Sequence, residues 1–130
     1  MSAADTLGHL EFDAPRLFAE LERLSADPSR FDELEFGLIG MQLDGTIVAY
    51  NRVESEFSGI KAQRIIGLNF FTDVAPCTNN YLVSGRYEAE SELDETIDYV
   101  FTLKMRPTRV QLRLLKAEPS PNQFLVVRRR

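Results

Sequence analysis

From Ile97 onward the chain alternates. Ile97, Tyr99, Phe101, Leu103 and Met105 are apolar or aromatic, and Asp98, Val100, Thr102 and Lys104 stand between them. A period of two sends successive side chains to opposite faces, which predicts a half-buried strand with its aromatic residues inward. Arg106-Pro107-Thr108 reads as the turn that follows. Val110, Leu112 and Leu114, alternating with Arg109, Gln111 and Arg113, read as the return strand. Glu118 to Asn122 is a Pro-containing connection, and Phe124 to Val127 supplies another strand. Three strands in a row present an apolar face that a second layer has to cover, so the first two thirds of the chain must provide that layer.

Leu38 to Leu43 and Thr46 to Asn51 are short apolar or β-branched runs separated by Asp44-Gly45, the strongest local hairpin signal. They predict two antiparallel strands. Asn51 is placed to cap a brief helix carrying Val53 and Phe57, with Gly59 as its stop. Lys61 to Ile66, closed by Gly67, predicts a second short helix. Asn69 to Pro76 reads as an ordered loop, and a longer helix is expected to start at Thr78 or Asn79 and to carry Leu82 and Val83. Ahead of all this, Leu17, Phe18, Leu21 and Leu24 form one helical stripe, with Asp13 as N-cap and Pro15 in the first turn. Asp27-Pro28-Ser29 ends that helix, and Arg30 to Glu35 forms another short helical turn. The reading is an N-terminal helical cap over residues 1–35 and a main domain over 36–130. Two strands, a helical crossover and three strands make an α+β chain with the layout of the PAS fold: a five-stranded antiparallel sheet whose helices enclose a small pocket.

One domain is what 130 residues accommodate, and 44 % hydrophobic residues suffice for a core without a disulfide or a structural metal. A single cysteine, Cys77, has no internal partner and suits a reducing, cytoplasmic setting. Twenty acidic against fifteen basic residues give a net charge of −5, which disfavours nucleic acid and anionic membrane as partners. No apolar run has the length of a membrane span. A monomer or weak dimer is expected.

Enzymatic chemistry finds little support. A nucleophilic Cys77 needs a base, and the one histidine, His9, lies in the N-terminal segment. One Cys and one His supply no zinc or haem ligand set, and no Gly-rich phosphate loop is present. Arg106, Arg109, Arg113, Lys116 and Arg128 to Arg130 gather positive charge on the last strands; they read as the solvated face of a sheet or as a surface for an acidic partner. Two features stay open at this level. Cys77 is either a small buried hydrophobe or a thiol activated at the start of the helix expected from Thr78 or Asn79. Tyr50 and Glu54, one helical turn apart, are either rim and surface residues or a pair facing one pocket.

The run Gln42-Leu43-Asp44-Gly45, Tyr50-Asn51, Glu54, Gly59, Ile66-Gly67, Asn69-Phe70-Phe71 and Asp73-Val74-Ala75-Pro76-Cys77-Thr78, followed by Tyr99, Phe101 and Met105-x-Pro107-Thr108, closely resembles the photoactive yellow proteins, or xanthopsins. The resemblance spans Leu38 to Arg129. It implies a blue-light photoreceptor, not an enzyme, that carries 4-hydroxycinnamic (p-coumaric) acid as a thioester on Cys77. It implies that Tyr50 and Glu54 hydrogen-bond the phenolate of that group, with Ser58 supporting Tyr50 where the family usually has Thr. Phe70, Ala75, Pro76, Thr78, Tyr99, Phe101 and Met105 are implied as neighbours in the pocket. Ile60 stands where well-known members carry an Arg over the phenolic ring, with Arg52 and Lys61 as possible replacements.

On that resemblance, Tyr50 and a protonated Glu54 stabilise a buried phenolate through short charge-assisted hydrogen bonds, and the same burial keeps Glu54 neutral. Light-driven isomerisation at the anchored group is expected to draw the proton from Glu54 and leave an uncompensated buried carboxylate, at a cost of about 3–5 kcal/mol. The N-terminal cap is expected to loosen first and to signal to a downstream partner. The alternatives are a PAS module that binds another small molecule or mediates protein contacts, and, more remotely, an enzyme acting on thioesters.

Overall fold

The computed structural model describes residues 10–103 and 106–129, with the side chain of Leu103 left aside. Its elements are α1 (Leu17–Leu24), β1 (Gly37–Gln42), β2 (Ile47–Tyr50), α2 (Arg52–Ser58), α3 (Ala62–Ile65), α4 (Ser84–Ala89), β3 (Glu92–Leu103), β4 (Arg106–Ala117) and β5 (Asn122–Arg129). The five strands form one antiparallel sheet in the order β2-β1-β5-β4-β3. The last strand therefore sits at its centre, between β1 and β4, and the crossover α2–α3–α4 runs across one face. This is the α+β architecture of the PAS fold.

Asp44-Gly45 makes the first hairpin as the sequence predicts, with Gly45 at φ 93°, where a side chain would be strained. Asn51 caps α2 by accepting the Glu54 amide N–H, and Gly59 closes it in the left-handed region at φ 74°. Asn69 fastens the hairpin to the crossover: its side-chain amide donates to the Asp44 carbonyl at 2.8 Å, and its Oδ1 accepts from the amides of Phe71 and Thr72. Those two bonds nucleate a wide helical turn over Phe70–Val74, closed by Ala75 N–H donating to the Phe70 carbonyl at 2.8 Å. The segment expected as a loop is thus helical, because a single Asn satisfies its first donors, a signal with no periodicity to reveal it.

Three other expectations are corrected. The helix expected from Thr78 or Asn79 begins only at Ser84, because Asn80 Oδ1 takes the amides of Leu82 and Val83 and holds 79–83 in a turn. Arg106-Pro107-Thr108 is not the turn but the start of β4, paired with Leu103, Thr102 and Phe101. Pro107 is tolerated there because the described part of β5 ends opposite Val110, so among the described residues that side of β4 has no partner strand at Pro107. Asp13 does not cap α1. The helix starts after Arg16, which adopts φ 56°, and Asp13 pairs instead with Arg128 at 2.7 Å.

Two apolar layers flank the sheet. On the inner face Ile39, Met41, Phe70, Phe101, Val110, Leu112, Leu125 and Val127 form the core beneath the crossover. On the outer face Leu17, Leu21 and Leu24 pack with Phe12, Phe31, Leu34 and Phe36 over Leu38, Leu115, Phe124 and Val126. Each of the α1 leucines contributes about 1.5–3 kcal/mol by leaving water. Beneath this layer Arg113 is buried. It forks onto Asp94 at 2.8 and 2.9 Å and donates to the carbonyls of Phe12 and Ala14. Lys116 is also buried and donates to the Tyr87 carbonyl at 2.5 Å. Of the basic residues expected on a solvated face, Arg106 and Arg109 are exposed as expected and Arg130 lies outside the described residues, whereas Arg113 and Lys116 are buried fastenings; Arg113 and Arg128 anchor the N-terminal segment.

Candidate functional site

Tyr50 ends β2 facing the inner core, and Glu54 follows on the first turn of α2. Tyr50 donates its hydroxyl to Ser58 Oγ at 2.8 Å, and Ser58 Oγ also accepts the Ile60 N–H at 3.1 Å. The hydroxyl at position 58 therefore orients Tyr50 and shapes the chain after α2. Burial pushes the Tyr50 phenol well above its ordinary value, and the Glu54 charge adds to that shift.

Glu54 is fully buried. Its carboxylate is gripped by the guanidinium of Arg129, the last residue of β5, at 2.5 Å to Oε1 and 3.2 Å to Oε2. Burial raises the Glu54 carboxyl above the usual carboxylate range, and Arg129 draws it back. Gly37, which precedes Leu38 on β1, makes room: a Cβ there would lie 2.2 Å from Glu54 Oε1. The guanidinium of Arg129 also stacks on Phe57, 4.6 Å from the ring centre.

Cys77 lies in a 3-10 turn, Pro76–Thr78, that covers the edge of β3. Its Sγ is within 3.4 Å of the Thr102 amide nitrogen and 3.5 Å of the Thr102 carbonyl. The thiol is half-buried and packs on the inner core, as do Ile60 and Tyr99. Tyr99 donates its hydroxyl to the Cys77 carbonyl at 2.5 Å, and Asn80 Nδ2 donates both to that carbonyl, at 3.1 Å, and to the Tyr99 oxygen, at 2.7 Å. Thr78, fully buried, closes the turn through Oγ1 on the Ala75 carbonyl at 2.7 Å. The turn that carries the thiol is thereby fixed from three sides. Cys77 is not at the N-terminus of a helix, so the helix-dipole argument for its activation falls away.

No family model matches the chain. Among curated relatives, the photoactive yellow protein of Rhodothalassium salexigens is 36 % identical over 115 residues, covering 85 % of this chain and 92 % of the relative. The chain belongs to the photoactive yellow protein family. A photoactive yellow protein of Halochromatium salexigens is 35 % identical over 101 residues, covering 75 % of this chain and 81 % of the relative. The crystal structure of the photoactive yellow protein domain of the sensor histidine kinase Ppr from Rhodospirillum centenum aligns with a TM-score of 0.71 at 42 % identity, over 78 % of this chain and 92 % of that domain. A PAS domain of an HTR-like protein from Haloarcula marismortui aligns with a TM-score of 0.65 at 14 % identity, over 85 % of this chain and 99 % of that one, a likeness of fold.

Of the photoactive yellow protein residues expected in the site, Tyr50, Ile60, Phe70, Ala75, Cys77, Tyr99 and Phe101 meet in one apolar cluster. Glu54 and Ser58 reach it through α2, while Pro76 is exposed on the outside of the turn. Met105 lies outside the described residues. Neither suggested replacement for the missing cation at Ile60 turns inward. Arg52 binds Glu56 and the Asp32 carbonyl, and Lys61 is exposed. The cation that does reach the site is Arg129, on Glu54, so a Glu54 carboxylate is not uncompensated in this chain. Sequence reading placed Arg129 only in a basic run; the alternation of β5, which puts Val127 and therefore Arg129 inward, was the signal available. Asn80, which fastens the Cys77 turn, has no motif or period in the sequence to single it out.

Proposed function

We propose that this chain is a blue-light photoreceptor that holds 4-hydroxycinnamic acid as a thioester on Cys77. The observation that supports the reading is a half-buried thiol and a buried phenol on one apolar core, with the fully buried Glu54 carboxyl close enough to that phenol to raise it by its charge. The donor set fits the group: an apolar lining for an aromatic ring, and two acidic O–H groups whose ionisation burial opposes, suited to donate to an anionic oxygen. Attachment needs an activated acyl donor. The Cys77 sulfur forms the new S–C bond, the S–C bond of the donor thioester breaks, and the proton of Cys77 goes to the departing thiol.

When bound, the group supplies visible absorption and a light-driven isomerisation about its double bond. Tyr50 and Glu54 hold its phenolate end by hydrogen bonds, and Ser58 keeps Tyr50 in place. Phe70, Phe101 and Ala75 exclude water. Tyr99 and Asn80 hold the Cys77 carbonyl, so the anchored end does not follow the other. Glu54 would give its carboxyl proton to the phenolate oxygen, its nearest base, once isomerisation had weakened the hydrogen bonds to that oxygen, and Glu54 would then be a carboxylate. The cap expected over residues 1–35, of which 1–9 lie outside the described residues, covers the domain 36–130 through residues 10–35, and these loosen in response, altering the surface offered to a partner protein. No substrate turnover belongs to this reading.

Incubation with an activated 4-hydroxycinnamoyl thioester tests it. A single mass increment of one acyl group, a visible band reversibly bleached by blue light, and release by alkaline hydroxylamine are expected. A protein that stays colourless would instead be a PAS module for another ligand or partner, and repeated release of free acid would mark a thioesterase.

A further inference from the structure

Glu54 is the most deeply buried ionisable side chain of the site, and among the described residues Arg129 is its one ion-pair partner. Three details show a built pair rather than an incidental contact. Both carboxylate oxygens are engaged. Gly37 leaves the space in which Oε1 sits. The guanidinium is itself clamped, stacked on Phe57 and only 15 % exposed. Arg129 Nε is buried and has no hydrogen-bond partner among the described residues, so the Glu54 carboxylate and the Phe57 ring are what hold the side chain at this depth.

We propose that Arg129 is the positioning residue of this site: it sets the ionisation of Glu54, holding it as a carboxylate in the chromophore-free protein and receiving it as a carboxylate once its proton has been given up. The second half rests on the reading of Glu54 as proton donor; the first does not. A carboxylate formed beside a waiting guanidinium has a bidentate partner at once, so the proton is easier to release and slower to return. Other charged groups leave this assignment clear. Tyr50, facing Glu54 from β2, titrates far to the alkaline side. Glu11, Asp13, Glu35 and Arg128 line, with Arg129, a cleft of about 350 Å³ on the outer side of the guanidinium.

The test begins on the full chain without chromophore. The carboxyl stretch of Glu54, identified by its loss in Glu54→Gln, is followed by infrared spectroscopy across the pH range. In Arg129→Gln its protonation midpoint is expected to rise by at least one pH unit, a tenfold change in proton affinity, with Arg129→Lys between the two because it keeps the charge and loses the fork. Equal midpoints in all three proteins would overturn the assignment; should Arg129→Gln fail to fold, the Arg129→Lys shift decides it. In the loaded protein, Arg129→Gln is expected to return to the dark form at least tenfold faster, and an unchanged rate would overturn the second half. If the wild-type chain takes up no chromophore, the photoreceptor reading fails, while the midpoints still decide what Arg129 does to Glu54.

Discussion

Arg128 and Arg129 are consecutive residues of β5 and fasten opposite faces of the sheet. Arg129 points into the inner core and grips Glu54. Arg128 points outward, binds Asp13 at 2.7 Å and stacks over Phe12 at 4.4 Å, where the N-terminal segment crosses the sheet. The central strand thus joins the candidate light-sensing carboxyl to the cap through one peptide unit. A shift of β5 that accompanies a change at Glu54 would act on the cap contact directly, with no relay through side chains between them.

Gly37 is the most sensitive position next to this pair. A Cβ there would lie 2.2 Å from Glu54 Oε1 and 3.3 Å from Val127 Cβ, so Gly37→Ala must displace the carboxylate. Overpacking of this kind costs about 1–3 kcal/mol. Denaturant unfolding should show that loss in the wild-type background and much less of it in Glu54→Ala, where the obstructing atoms are gone. Equal losses in the two backgrounds would place the clash elsewhere.

Arg113 is the second lever, on the cap. Arg113→Met removes the fork onto Asp94 and leaves the Phe12 and Ala14 carbonyls without their donor. Asp94 is about half exposed, so the ion pair itself counts for little, and the buried carbonyls account for most of an expected loss of about 1–3 kcal/mol. Limited proteolysis should cut the segment before Leu17 faster in the variant. Protection equal to wild type would mean that the apolar layer alone retains the cap.

Much of the fold was legible because it rests on local rules. The alternation of Ile97 to Phe101, the Asp44-Gly45 turn, and the cap and stop at Asn51 and Gly59 each specify structure within a few residues, and each is found where expected. What escaped depended on a distant partner. Arg113 looked solvent-facing because β-alternation does not reveal that the segment through Phe12 and Ala14, far earlier in the chain, crosses that face. The turn at Pro76–Thr78 is held by Asn80 and Tyr99, whose spacing carries no period. Tyr50, Glu54 and Cys77 were legible as a set only through family resemblance; that Arg129 completes the set needed the sheet order, which brings β5 beside β1.

Cys77 is the sole thiol, so its role separates cleanly from folding. Its half-buried sulfur packs on the core but makes only long contacts with Thr102. Cys77→Ser is expected to cost about 1 kcal/mol or less, within the range of ordinary substitutions, and to abolish attachment completely. Intact mass after incubation with the activated thioester reads attachment, and thermal unfolding reads the fold. An acyl increment on the Ser variant under the same conditions would contradict attachment through sulfur.

Alkaline stability should report the two buried phenols. Tyr50 and Tyr87 are both raised from 10.0, in each case chiefly by burial, and Tyr87 also donates to the Phe124 carbonyl at 2.6 Å. A raised folded value means stability that is fully present below the unfolded value and lost as pH rises through the folded one. The loss should therefore begin just above pH 10. Tyr87→Phe forgoes a hydrogen bond of about 1 kcal/mol at neutral pH but should flatten the decline above pH 10. A decline of unchanged steepness would assign it to other groups.

Glu54→Gln bears on both the chemistry and the stability of the site. The carboxyl of Glu54 is raised from 4.5 by burial, with Arg129 opposing, so its contribution to stability is fully present below pH 4.5 and declines as pH rises toward the folded value. Glutamine does not titrate, and urea midpoints of the variant should lack that decline. It also leaves the Arg129 guanidinium without its anion, so at neutral pH the chromophore-free variant should not exceed wild type in stability; a clear gain would mean that the desolvation of the pair outweighs its attraction. In the loaded protein the amide still donates a hydrogen bond but holds the phenolate less strongly, which is expected to move the dark absorption to longer wavelength. With no proton to give, the variant should lose the protonated-carboxyl band that disappears from the wild type on illumination. Survival of that band would identify another acid as the donor, and an unmoved dark spectrum would show that Glu54 does not touch the chromophore.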